Sequence, residues 1–216
     1  MNIKKLLILA LIPFFINSCA LNRGIIDLNV KTPETQINST GKTVFIRAVK
    51  DNRVFEENPA NPATPSLGFG GSDKASEALE KRAIARKRNS FGKALGDIVL
   101  PEDKTVESVM RESIARSFTE MGYKVLNNES VTNKNTLIID VSIDKFWSWM
   151  MPGAWTITLT SEIEAKITNS NSNKTKTITS EYKDNFLAAG GKNWMKVMNG
   201  NLENFNNKTK ESFAKE

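Results

Sequence analysis

Between residues 137 and 167 the chain alternates apolar and polar residues in two successive runs, and nothing else in the sequence constrains its fold so tightly. Leu137, Ile139, Val141 and Ile143 interleave with Ile138, Asp140, Ser142 and Asp144. After Pro152-Gly153, the residues Trp155, Ile157, Leu159, Ile163, Ala165 and Ile167 interleave with Thr156, Thr158, Thr160, Glu162, Glu164 and Lys166. A period of two marks strands with one dry face. In an antiparallel pair, opposed residues share a face, so two odd-numbered inward sets must pair with an even sum. A two-residue Pro-Gly loop would give an odd sum, and its type II turn would splay the strands. An odd-length loop or a bulge is therefore expected near residues 150–154. A third strand over roughly 174–182 extends the pair into a meander, with Ile178 and Tyr182 inward and Ile178 opposite Ile167 across a loop at 171–174.

Helical spacing brackets this meander. From Thr105 onward, Val106, Val109, Met110, Ile114, Ala115, Phe118 and Met121 recur every three or four residues, and Gly122 sits where a left-handed cap ends a helix. A second stripe follows Gly190-Gly191, through Trp194, Val197, Met198, Leu202, Phe205 and Phe213, with Gly200 weakening its middle by roughly 1 kcal/mol. Upstream, Thr43-Val-Phe-Ile-Arg-Ala-Val49 reads as a strand that ends at the turn-forming Asp51-Asn-Arg53. Residues 58–71 hold three prolines and three glycines, which excludes a helix interior or central strand. Ser72-Asp73 then caps an expected helix over residues 74–85, with Ala75, Ala78, Leu79 and Ala83 on a thin apolar face. The order predicts an α+β fold, a mainly antiparallel sheet with amphipathic helices packed on one face.

The N-terminus carries a different message. Lys4 and Lys5 precede the apolar run Leu6-Leu-Ile-Leu-Ala-Leu-Ile-Pro-Phe-Phe-Ile16, then Asn17-Ser18 and Cys19, the only cysteine in the chain. The run is too short to span a bilayer and has the parts of a secretory signal peptide. Ile16-Asn17-Ser18-Cys19 resembles the lipobox of bacterial lipoproteins. That resemblance implies cleavage before Cys19, a diacylglyceryl group on its thiol and an acyl chain on its new amino group, with no other cofactor. Ala20 follows the cysteine where an acidic residue often signals inner-membrane retention, so the expected location is the outer membrane, facing the periplasm. The expected organisation is a signal peptide at 1–18, a tether at 19–41 in which Ile25, Ile26 and Leu28 can add a short edge strand, and one domain at 42–216 with a basic, Pro/Gly-containing insertion at about 56–100. Without residues 1–18 and their two lysines, the net charge of +6 becomes about +4.

The chain contains no histidine. Ser-His-Asp and Cys-His catalysis, histidine-containing zinc sites and a histidine base near neutral pH are therefore excluded. With the lone thiol acylated, no internal disulfide forms and stability rests on packing.

The lipobox, the strand ending near Asp51-Asn-Arg53, the helix ending in Thr119-Glu-Met-Gly-Tyr123, and the long alternating strands before a C-terminal helix together resemble the YajG-type envelope lipoproteins, over about residues 43–55 and 105–213. The resemblance implies an α/β envelope lipoprotein, akin in architecture to auxiliary lipoproteins of transport systems. The insertion at 56–100 departs from that pattern, and the resemblance brings no catalytic residues with it.

Two segments are candidate contact surfaces. In Phe146-Trp-Ser-Trp-Met-Met-Pro-Gly-Ala-Trp155, the residues Trp147, Trp149 and Trp155 share the odd, inward phase, whereas Phe146 and Met150 occupy the even phase and make the second face apolar. Such a face needs a cover from the insertion, a partner, a ligand or the lipid interface. Phe146, Trp149 and Met150 are thus candidate partner or membrane contacts. So are Arg82, Arg86, Lys87 and Arg88, which could meet anionic headgroups, peptidoglycan or an acidic protein, or form a solvated helix face; nucleic acid is not expected outside the cytoplasm. Asp140 and Asp144 stand ~13 Å apart on a strand, too far for the ~5 Å carboxylate pair of a retaining glycosidase. The expected function is a lipid-anchored binding or accessory protein with no catalytic or metal residues and an envelope protein partner. Its alternatives are a transport-system auxiliary subunit and an enzyme using carboxylates or Ser/Lys on an envelope polymer.

Overall fold

The computed structural model describes residues 23–30, 40–68, 71–89 and 93–214. Among these residues eight strands form one sheet: β1 (Gly24–Ile25), β2 (Thr43–Asp51), β3 (Ala83–Arg88), β4 (Ala94–Val99), β5 (Lys124–Leu126), β6 (Thr136–Pro152), β7 (Ile157–Asn169) and β8 (Lys174–Phe186). Three α-helices accompany them: α1 (Glu77–Glu80), α2 (Val106–Glu120) and α3 (Gly191–Phe213). The fold is α+β, but the sheet is mixed. β6 to β8 form the expected antiparallel meander, whereas β2 and β3 both run parallel to β6 and β1 runs parallel to β4.

β6 organises the molecule because its 17 residues are long enough to be shared. β7 follows one edge from Ile139 to Pro152. The other edge is divided: β2 pairs with residues 136–143, and β3 takes over at Ser148 and Trp149. At this fork the register with β7 shifts between Ile143 and Lys145, leaving Asp144 as a bulge. Before it Ile143 faces Ala165, an even sum; after it Phe146 faces Ile163, an odd one. The expected break is real but lies several residues earlier than 150–154, and the turn at Gly153–Thr156 is an ordinary four-residue loop.

Arg53 closes the fork. Its side chain is fully buried, and Nε and Nη2 donate to the Asp51 carboxylate at 2.8 and 2.7 Å. Nη1 donates to the carbonyls of Ala83 and Phe146 at 2.6 and 3.1 Å, and Nη2 also reaches the Glu80 carbonyl at 2.8 Å. One guanidinium thereby ties the end of β2, the entry to β3 and the middle of β6. The Asp51-Asn-Arg53 sequence ends β2 without the expected backbone turn: Asn52 N still donates to the Ile143 carbonyl, Arg53 N donates to Asp51 Oδ1 at 3.2 Å, and the segment holds the sheet together.

α2 begins as its sequence demands: Ser108 N donates to Thr105 Oγ1 and Thr105 N to Ser108 Oγ, a reciprocal cap. It ends at Gly122, whose φ of 84° suits a residue without Cβ. Val106, Val109, Met110, Ile114 and Phe118 are fully buried, each contributing roughly 1.5–3 kcal/mol of apolar burial. α3 buries Trp194, Val197, Met198, Leu202, Phe205 and Phe213, and packs on β7, β8 and α2.

Gly200 in α3 is a close-approach site, since an added Cβ would lie 2.9 Å from the Tyr182 ring. Gly200→Ala should therefore lower stability despite alanine's better helix propensity of about 1 kcal/mol, and in a Tyr182→Ala background the same change should raise it. Paired urea titrations read this reversal of sign.

Glu120 joins the helices through Arg116 at 2.6 Å and Lys210 at 2.5 Å. Partial burial opposes its ionisation, but the hydrogen bonds from Lys210 and Arg116 outweigh that and hold its pKa below the ordinary 4.5. A lowered folded-state pKa stabilises the native state above the unfolded value and is lost as pH falls through the folded one. In Glu120→Gln, stability should fall less steeply than in the wild type between about pH 5 and 3, measured by denaturant midpoints along that range.

Several expectations change. The helix predicted over residues 74–85 is only the single turn Glu77–Glu80, and β3 begins at Ala83. The region 56–100 supplies two sheet strands besides its loop, so it is integral to the sheet. Of the expected tether, residues 23–30 belong to the fold: Gly24 and Ile25 pair with Ile98 and Val99, and Ile26 and Leu28 are buried. In the last hairpin Ile178 faces Ala165, and Ile167 faces Lys176.

Candidate functional site

The bulge at Asp144 inverts the faces of β6. Before it, Ile139, Val141 and Ile143 point into the main core; after it, Phe146 is buried there and Met150 packs partly against it. Trp147 and Trp149 turn to the opposite face, where Trp147 is buried with Leu67, Ala83 and Val99, and Trp149, Phe55, Ala75 and Leu79 pack around them. The apolar second face exists, then, and the 56–100 region covers it. Phe55 meets Trp147 edge-on at 5.9 Å, and Trp147 Nε1 donates to the Pro62 carbonyl at 3.3 Å.

The proposed contact residues are redistributed accordingly. Phe146 is a core residue with no exposed surface, while Trp149 and Met150 are half-buried. Trp155, assigned to the buried phase by its odd number, is 90% exposed in the turn after β6, beside Met151 at 55%. Nothing in the alternation separated these two from the core, because the bulge and the end of strand pairing are invisible to it.

Arg86, Lys87 and Arg88 lie on β3 and Arg82 just before it, and the arginines are largely committed inside the protein. Arg82 donates twice to the Leu100 carbonyl, at 3.0 and 2.8 Å. Arg86 reaches Ser66 Oγ at 3.0 Å; Arg88 reaches the same oxygen at 2.9 Å and the Pro59 carbonyl at 2.8 Å. Burial, and then the nearby Arg86, lower the pKa of Arg88. These side chains pin the Pro-rich loop to β3. Lys87 points the other way, its Nζ 3.5 Å from where a Cβ on Gly24 would sit.

Asp140 and Asp144, too far apart to act as a catalytic pair, are each ion-paired. Asp140 is held by Arg47 and Ser170, and the Arg47 hydrogen bond keeps its pKa below the ordinary 3.8 against partial desolvation. Asp144 meets Lys166 at 2.7 Å. With its pKa lowered, Asp140 stays ionised near neutral pH and has no proton to give.

The concave surface missed by sequence reasoning lies at the opposite end of β6 from Trp155. An open cleft of about 610 Å³ is lined by Lys42, Lys134 and Lys174 together with Thr43, Tyr123 and Asn171, and no acidic residue lines it. The starts of β2 and β6 and the β7–β8 turn converge there. Strand rise over the 17 residues of β6 separates the cleft from the Gly153–Thr156 turn by ~50 Å. Cys19 lies outside the described residues. Among the described residues no group of three His, Cys, Asp or Glu is placed to hold a metal ion, and no helix is long and apolar enough to cross a membrane.

No family model and no curated protein matches the chain. Among solved structures, a Xanthomonas campestris protein of family DUF330 aligns at 12% identity over 87% of this chain and 91% of its own, with a TM-score of 0.49. An uncharacterized protein aligns at 7% identity over 90% of this chain and 98% of its own, at 0.42. A putative neuraminyllactose-binding hemagglutinin homolog from Helicobacter pylori aligns at 9% identity over 87% and 94%, at 0.38.

Proposed function

We propose that this chain is a lipid-anchored envelope protein of the YajG type, held through Cys19 on the periplasmic face of the outer membrane and acting as a binding or accessory subunit without catalysis of its own. The observation that carries this reading is the arrangement along β6. The chain that leads back to Cys19 enters the sheet at Gly24, whose partner Ile98 pairs with Ala85 and, through it, with Ser148 in the upper half of β6. The lysine cleft stands at the other end. A lipid on Cys19 would hold one end of an elongated sheet at the membrane and present the cleft away from it.

The cleft's three lysines and absence of acidic lining suit an acidic surface on a protein partner. Photo-crosslinkers placed at Asn135 and Asn171 in membranes of the native cell should capture one partner, and Lys134→Glu with Lys174→Glu should abolish the capture without unfolding the domain. Unchanged capture in that variant would remove the cleft from the account. Cys19→Ser should leave a precursor that retains residues 1–18 and is not transferred to the outer membrane.

A further inference from the structure

We propose that the end of the sheet formed by the β6–β7 turn and the segment after β8 rests on a phospholipid bilayer, with Trp155 at the headgroup boundary. The inference deepens the lipid-anchor reading and depends on it for the orientation of the domain.

Strand directions bring the parts together. β3 and β6 are parallel and run toward this end, β7 starts there at Ile157, and β8 returns to it at Phe186, opposite Ile157. Three of the six large apolar side chains exposed among the described residues lie at this end: Met151 at 55%, Trp155 at 90% and Leu187 at 87%. A fourth, Ile25, lies on the adjoining edge strand.

Charge is absent where contact is expected and present beside it. Neither Met150 through Ile157 nor Phe186 through Gly191 contains an acidic or basic residue. Lys87, next to Gly24, and the exposed Lys93, just before β4, lie at the same end. An uncharged apolar rim holding a tryptophan, flanked by cations, is the surface chemistry that suits an anionic lipid interface. Trp194 Nε1 and Asn193 Nδ2 donate to the carbonyls of Ala189 and Ala188, fixing the segment that carries Leu187.

Chain length supplies the occupant. Gly24 lies level with Ser148, and β6 climbs ~13 Å from there to Pro152. Gly24 is five positions beyond Cys19, a reach of at most ~18 Å. A lipid on Cys19 therefore reaches the plane of the Trp155 turn but cannot lift the domain far from it. The same short connection keeps the lysine cleft, ~50 Å away along β6, out of contact with the bilayer.

The test uses the mature protein purified from native membranes and reconstituted into vesicles of phosphatidylethanolamine and phosphatidylglycerol with brominated acyl chains. Trp155→Phe isolates the signal of the one fully exposed indole and, at an exposed position, leaves the fold intact. The difference emission assigned to Trp155 should fall on the order of twofold with brominated chains, as for an indole at the headgroup boundary, and should resist aqueous iodide. Emission indifferent to brominated lipid and quenched by iodide would overturn the proposal. So would protection from both quenchers by a co-purifying protein, which would assign this end to a protein partner. The mass of the N-terminal peptide, read on the same sample, separately decides whether Cys19 carries lipid, so failure of the anchor and failure of the docking surface are told apart.

Discussion

Replacing Arg53 by alanine is expected to cost about 3–5 kcal/mol, the range found when one partner of a buried ion pair is removed. That is a large share of the 5–15 kcal/mol typical of a domain. Asp51 would lose both of its guanidinium contacts, and the carbonyls of Glu80, Ala83 and Phe146 would lose a donor where β2 hands over to β3. Arg53→Lys should recover only part of the loss, because a single ammonium cannot span acceptors arranged for a planar fork. Asp51→Asn combined with Arg53→Ala should cost less than the sum of the two single changes, since the stranded carboxylate disappears. Urea midpoints with an unchanged slope would show that stability alone has moved.

Trp147→Ala is expected to cost about 3–5 kcal/mol, as for other fully buried aromatic side chains, and to have a local consequence that Arg53→Ala lacks. Trp147 is 1% exposed, and the loop over it is held by the Phe55 edge contact and the Pro62 carbonyl. Without the indole, the cover over residues 55–68 loses its seat while α2 and α3 keep theirs. Brief proteolysis should then cut within the Pro-rich loop well before the helices become sensitive. Trp194→Ala serves as the control: its indole lies in the main core, so its loss should destabilise the domain without selective cutting of the loop.

These two residues also show what the sequence reveals and what it hides. The meander and both long helices are legible because their signals are local: period two along β6 and β7, and a three-or-four stripe in α2 and α3. β3 is not legible, because Ala83, Ile84 and Ala85 are all buried. A strand covered on both faces shows no alternation, and its Ala, Arg and Lys content favours a helix until β4 and β6 pair with it. The parallel pairings of β2 and β3 with β6 join residues about 60 to 95 positions apart, beyond any periodicity argument.

The candidate site was legible in part. Parity requires a break in the β6–β7 pairing, and the even-phase Phe146 and Met150 make a second apolar face that needs a cover. Placing the break near the loop instead of at Asp144 exchanged the roles of Phe146 and Trp147. It also sent Trp155 into the core when it is the most exposed of the large apolar residues. The lysine cleft left no sequence signal, since Lys42, Lys134 and Lys174 come from three separate segments that meet only in the folded sheet.

The central claim, that the domain is held at a membrane through Cys19, is tested most directly by the intact mass of the protein extracted from native envelopes. The expected chain begins at Cys19, and its N-terminal cysteine peptide is heavier than the bare polypeptide by a diacylglyceryl group and one further acyl chain. A chain that begins elsewhere, or a Cys19 that reacts as a free thiol, would contradict it.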